Sequence, residues 1–308
     1  MRSYFHLRIV GRRGRMRRAL LAIPMLAALV VPGICASYDD LNRGIQARNA
    51  EDWQSAIVAF GNALAANDLP AGLQYVAHID RGEAHLNLQQ LDLAMADYAA
   101  ALVLRPDDIQ AMFGRSRVRF LAKAFDQSAS DLDDLVAAHP FNSQLYFYRA
   151  EVRAARGQYN KGLQDLSVVR SEYPTAINLY RPIGIAYWEV GQIADAETNF
   201  SAAVDKDKDV YAWLWLALTE ARLGKAVSRM DIRDFDKTKW PGPIVDFFQG
   251  NATPDAVFAS ANQGDEKSVR GQICEANFYV GEWLLQHRDT AGTKLLLQRA
   301  VSNCPVNH

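Results

Sequence analysis

RSRVRFLAKAFDQSASDLDDLVAAHP, residues 115–140, is followed by RAEVRAARGQYNKGLQDLSVVRSEYP, residues 149–174. The two stretches match at an interval of 34 residues. Each opens on an arginine (Arg115, Arg149) and then a small residue (Ser116, Ala150). Twelve positions on comes a second small residue (Ser128, Gly162), then a large apolar one (Leu132, Leu166), another (Leu135, Val169) and a closing proline (Pro140, Pro174). Steps of three and four put the apolar residues on one face of a helix. Small residues where two helices cross let the axes approach, and large ones fill the groove beside them. Proline ends the second helix and turns the chain. The stretch therefore reads as two antiparallel helices, used more than once.

Working outward, the first small residue recurs as Gly44, Gly82, Ser116, Ala150, Gly184, Ala217 and Gly281. The second recurs as Ala56, Ala94, Ser128, Gly162, Ala196 and Thr293, and the large residue as Phe60, Tyr98, Leu132, Leu166, Phe200 and Leu297. A repeat at this period means stacked supersecondary units sharing a core. The residue set and the period resemble the tetratricopeptide repeat (TPR) over residues 37–224 and again over 274–308. The resemblance implies an all-α fold: a solenoid of helical hairpins wound as a right-handed superhelix, with an irregular helical insert and a terminal hairpin.

A charge pattern runs with the repeat. Arg81, Arg115 and Arg149 stand one residue before the small position, and Asp97, Asp131 and Asp165 follow sixteen residues later. Where the arginine becomes Ile183, the aspartate becomes Asn199; Arg43 has Ala59 at the partner position. A basic ladder for an anionic ligand is one reading. Structural ion pairs between helices is the reading that joint loss favours.

The 308 residues carry 34 basic and 35 acidic side chains, but residues 1–36 hold seven arginines and no acid. That leaves 27 basic against 35 acidic, about −8, on residues 37–308, a sign that phosphate backbones repel. No nucleic-acid partner is expected. The arginine-rich start, the apolar run Ala19–Val31 and the small Ala36 read as a bacterial secretory signal peptide over 1–36, too short to span a bilayer. A membrane contact is expected only if that segment stays uncleaved. Either Met1 or Met16 serves as the start. The Arg17-Arg18 pair faintly resembles a twin-arginine signal, but general secretion is the preferred route. Cys35 lacks the leucine and small residues that lipidation requires before it.

After the array at 37–224, residues 225–273 break the pattern. WPGPIVDFFQG, 240–250, marks turns with two prolines and a glycine. Thr253-Pro254-Asp255 reads as an N-cap, first-turn proline and favourable acid. This is the irregular helical insert, with a terminal hairpin at 274–308. Cys274 at the start of that hairpin's first helix and Cys304 at the end of its second lie at one end of an antiparallel pair, in an oxidising compartment. A disulfide is expected there; two free thiols and a metal site are the alternatives, the last poorly served by the scattered His287 and His308. The insert and the CEANFYVGEW stretch, 274–283, also resemble the NlpI-type periplasmic TPR proteins, which implies a periplasmic adaptor for envelope enzymes such as cell-wall hydrolases and proteases.

Catalytic constellations are missing from the sequence: no G-x-S-x-G elbow, no H-E-x-x-H pair and no phosphate-cradling glycine loop. Asp205, Asp207 and Asp209 alternate as in a calcium loop, but Val210 and Leu216 stand where glycine and a bidentate acid are needed. The matching reading is no enzyme, no cofactor and no metal. His78, His85 and His139 are assigned to surface or packing roles. First helices of such repeats present a groove to peptides or partner helices. The register places Phe113, Arg117, Phe147, Tyr148, Arg181, Trp188, Leu214 and Trp215 on that face, aromatics and arginine being common interface anchors. Burial of these residues as core is the alternative. Protein or peptide partners are expected, with self-association into a homodimer as the competing reading.

Overall fold

The computed structural model describes residues 32–227, 236–288 and 292–304. The expected signal segment, with the choice between Met1 and Met16, lies outside the described residues except for its last five positions. Fifteen α-helices and no strand occur among the described residues. They divide into two compact units between Leu145 and Tyr146.

The N-terminal unit stacks hairpins: α1 (Pro32–Asn49) with α2 (Trp53–Ala65), α3 (Ala71–Asn87) with α4 (Leu91–Leu104), and α5 (Ile109–Leu121) with α6 (Phe125–Ala138). Asp52 and Asp108 cap α2 and α5, accepting from the Ser55 and Ala111 amides at 3.1 and 2.9 Å. The hairpins close as the repeat requires. Ala56, Ala94 and Ser128 are fully buried, and the Ser128 hydroxyl donates to the Ser116 carbonyl at 2.9 Å.

α7 (Ser143–Ala155) carries the division. Beyond it, the C-terminal unit continues with α8 (Tyr159–Glu172), α9 (Tyr180–Glu189), α10 (Ile193–Asp207) and α11 (Val210–Arg222). The insert supplies α12 (Gly242–Phe248) and α13 (Pro254–Ala261); the end is α14 (Glu266–Gln286) and α15 (Thr293–Asn303). Thr253 caps α13 as its sequence implies. The insert shares one core with the repeats: Phe247 and Phe248 join Phe200, Trp213, Trp215, Phe278 and Tyr279. Phe248 stacks on Trp283 at 4.2 Å, and Phe200 on Trp215 at 5.7 Å.

The glycines explain how the helices come so close. A Cβ at Gly184 would stand 2.6 Å from the Phe200 ring, and one at Gly44 the same distance from Phe60. In the last hairpin, a Cβ at Gly281 would stand 2.9 Å from Leu297. Each large residue lies sixteen positions after its small one.

A second periodic feature is conformational. Seven residues after each small position the chain turns left-handed: Glu51, Gln89, Lys123, Gly157, Gly191, Gly224 and Arg288, with φ between 59° and 79°. The following amide returns to the helix, as in Asp52 to Ala47, Ala124 to Arg119 and Gln158 to Arg153, at 2.8–2.9 Å. This is the paired bonding that ends a helix at a left-handed residue. Every first helix thus stops at one register, including α14, which follows a 64-residue interval.

Two glycine-to-alanine changes separate these effects. Gly157 has open space around it, so Gly157→Ala is expected to cost about 1 kcal/mol through backbone strain alone. Gly184→Ala forces its methyl into Phe200 and is expected to cost about 1–3 kcal/mol. Thermal denaturation followed by circular dichroism reads both.

Candidate partner-binding site

The arginine–aspartate pairs form. Arg81 places two nitrogens on Asp97 at 2.7 and 2.9 Å; Arg115 reaches Asp131 and Arg149 reaches Asp165, each at 2.7 Å. All three carboxylates are buried. Each arginine lies on the first helix of a hairpin and its aspartate on the second, so the pair ties one helix to the other. A second side chain also converges: Arg119 on Asp131 and Arg153 on Asp165, at 2.6 Å, while the His85 ring lies 3.8 Å from Asp97. These sit three residues after the small position, a signal present in the sequence that the arginine–aspartate spacing does not use. His78 adds its Nδ1 to Asp97 at 2.8 Å. Where Asn199 replaces the aspartate, it accepts from Arg170 at 3.3 Å and donates to the Asp195 carbonyl. The ladder is thus consumed inside the fold.

Of the residues expected on the open face, Phe113, Arg117 and Tyr148 are half-buried. Arg181 is half-buried too, its Nε 2.8 Å from Asp209 and its guanidinium over Tyr211. Asp209 also caps α11, accepting from the Tyr211 and Ala212 amides. Those tasks account for one member of the alternating aspartates.

Phe147, Trp188, Leu214 and Trp215 correct the expectation: all are buried. α14 packs on α11 and brings Phe278 to 5.2 Å and Tyr279 to 6.3 Å from Trp215, while Trp188 meets it edge-on at 5.7 Å. Arg222 covers the Trp188 ring at 4.7 Å. Phe147 packs in a cluster with Leu179 and Ile183. Trp215 is core because α14, distant in sequence, covers it, whereas Phe147 is buried by its own repeat and the next one.

α14 differs from its reading in a second way. It begins at Glu266, capped by Asp265, so Cys274 lies two turns inside rather than at its start. The Cys274–Cys304 disulfide nevertheless forms, with Cα atoms 5.2 Å apart, because α15 ends just before Cys304. Closing a loop of 30 residues this way contributes about 2–4 kcal/mol. Next to it, the Glu275 carboxylate accepts from Tyr211 Oη at 3.0 Å and Trp240 Nε1 at 2.7 Å. Those bonds tie the insert to α11 and α14. Burial pushes the Tyr211 phenol up, and the Glu275 charge adds to it. Burial also pushes the Glu189 and Glu282 carboxyls above their ordinary range.

A family profile described as tetratricopeptide repeat matches residues 41–109 and 182–228. The chain carries tetratricopeptide repeats over those residues. A solved TPR protein from Parabacteroides merdae aligns over 87% of this chain and 98% of its own, with a TM-score of 0.57 and 11% identity. MamA from Desulfovibrio magneticus RS-1 aligns over 56% of this chain and 96% of its own, with a TM-score of 0.51 and 16% identity. At those identities the likeness is one of fold. The TPR register assigns Phe113 and Arg117 to the face of α5 turned from α6, while Arg115 and Arg119 turn towards it. Among the described residues no helix is long and apolar enough to cross a membrane.

Asp97 yields a pH prediction. Burial alone would raise its carboxyl, but hydrogen bonds from His78 and Arg81 and the Arg81 charge outweigh it and hold the carboxyl below its ordinary value. A depressed carboxyl stabilises the fold fully above the unfolded value, about pH 4, and that contribution is lost as pH falls through the folded value. Asp97→Asn is expected to cost about 2–4 kcal/mol at neutral pH by leaving Arg81 unpaired. The difference between variant and wild type should shrink below about pH 4. Urea titrations across pH measure both.

Proposed function

We propose that the chain is an exported, non-catalytic scaffold of a Gram-negative cell envelope that binds protein partners through the first helices of its repeats. One observation carries the reading. On α5, Phe113 and Arg117 lie one turn apart, both half-buried, and Arg117 has no ion-pair or hydrogen-bond partner among the described residues. The arginine-rich start, the apolar run after it and the joined cysteines support export to an oxidising compartment. The NlpI-type resemblance supports cell-wall hydrolases or envelope proteases as partners. No turnover belongs to this reading, and no cofactor.

A second reading rests on α15, where Leu295 and Val301 are 52% and 65% exposed. Pairing of two copies through this terminal helix would cover them, giving a structural assembly protein.

Affinity capture of the mature chain from envelope extracts, with mass spectrometry, tests the first reading. The expected result is a discrete set of cell-wall or proteolytic enzymes, lost from Phe113→Ala while helicity is unchanged. Recovery of the chain alone as a defined oligomer overturns it in favour of self-assembly. A monomer at about micromolar concentration in light scattering removes the second reading.

A further inference from the structure

Arg170 stands apart from the residues sharing its place in the repeat. Twenty residues after the small position come Leu64, Leu102, Val136, Val204 and Val301, all apolar. Leu64, Leu102 and Val204 pack against buried clusters, so packing at this place asks for no charge. Arg170 is half-buried, and a charge drawn from water costs stability unless an opposite one meets it. The acid that could meet it is gone as well. Its guanidinium donates to Asn199 at 3.3 Å, where three other repeats carry Asp97, Asp131 and Asp165. The break in the arginine–aspartate ladder therefore leaves a guanidinium beside a neutral amide.

A second cation meets the first at Tyr180. Arg170 lies near the end of α8, Tyr180 opens α9, and Lys206 lies near the end of α10. The Arg170 guanidinium sits over the Tyr180 ring, 4.6 Å from its centroid. The Lys206 ammonium is 4.7 Å from the same centroid and donates to Tyr180 Oη at 2.7 Å. Neither cation has a carboxylate within ion-pair distance among the described residues. The bond from Lys206 holds the phenol below its ordinary value; burial opposes it, the Lys206 and Arg170 charges add to it, and no acid acts on it. The last turn of a helix favours a cation. That accounts for charge at each helix end, but not for gathering two charges about one phenol. Because Tyr180 Oη accepts from the ammonium, its own O–H remains to donate.

We propose that Arg170, Tyr180 and Lys206 form a site for a phosphate group, either inorganic phosphate or a phosphate monoester. Its oxygens accept from the guanidinium, from the ammonium and from the Tyr180 hydroxyl. Hydrogen bonds between ionised partners are the strong ones, and a guanidinium fork matches two phosphate oxygens. A dianion answers two positive charges, and a tetrahedral group offers an oxygen to each donor, which a carboxylate does not. The site lies within the C-terminal unit, at the ends of α8 and α10 and the start of α9. It does not depend on the partner-binding reading of α5.

Isothermal titration calorimetry of the full chain with inorganic phosphate at low salt tests it. Phosphate is expected to bind with a Kd of about 0.1–1 mM, and acetate about tenfold more weakly. Arg170→Gln, Lys206→Gln and Tyr180→Phe are each expected to weaken phosphate binding about tenfold. Lys225→Gln removes a lysine already paired with Glu197 at 2.7 Å and is expected to leave binding unchanged. Arg170→Leu, which restores the apolar residue of the other repeats, is expected to abolish binding while thermal stability stays equal or rises. A lower melting temperature with phosphate binding intact assigns Arg170 to packing and overturns the proposal. So does any of the following: no binding at about 10 mM phosphate, acetate binding as tightly, the three site variants matching wild type, or an equal loss in Lys225→Gln. Vesicles of phosphatidylcholine with phosphatidic acid separate the sources. Vesicle binding that free phosphate displaces and Arg170→Gln removes supports a lipid headgroup; phosphate binding without vesicle binding supports a soluble phosphate.

Discussion

A large side chain can lie against a helix only where that helix carries nothing in its way, and this constraint sets the array. Gly44, Gly184 and Gly281 leave the space that Phe60, Phe200 and Leu297 fill, each pair sixteen residues apart. The close approach fixes how the two helices of a hairpin cross. It also leaves a fixed length to the turn: every first helix ends seven residues after its small position, on a left-handed residue. Sequence spacing, helix crossing and turn conformation are therefore one fact seen at three levels.

The buried aspartates depend on that geometry. Once a hairpin closes, the carboxylate sixteen residues after the arginine faces the first helix, and it folds without loss only if hydrogen-bond donors meet it. Two guanidiniums do so at Asp131 and Asp165, and Arg81 with His78 at Asp97. Buried pairs of this kind add little net stability over apolar packing but are costly to break. Their effect is to hold one helix in register with the other. Where the arginine is Ile183, an amide replaces the carboxylate and bonds within its own helix.

Most of the architecture was legible because the repeat is local: hairpin, turn and ion pair all lie within 34 residues. The second cations were legible as well, since Arg119 and Arg153 share a register. The left-handed turns were half-hidden: Gly157, Gly191 and Gly224 show the period, while Glu51, Gln89, Lys123 and Arg288 mask it. Trp188 and Trp215 could not be placed from the repeat. What buries Trp215 comes from α14, some sixty residues further along, and a periodic pattern holds no information about that contact. Cys274 was misplaced within its helix because the cap at Asp265 lies before the repeat unit begins.

Core and face therefore divide differently along the chain. In the C-terminal unit the aromatics close into a core shared with the insert; in the N-terminal unit α5 keeps Phe113 and Arg117 half-buried. The central claim is that this face of α5 meets a partner protein. A photocrosslinking amino acid in place of Phe113, in the chain expressed in intact cells, tests it most directly, with Val103 (82% exposed on α4) as control. The account predicts discrete protein adducts from position 113 and none from 103. Equal adducts from both positions, or none from 113, would contradict it.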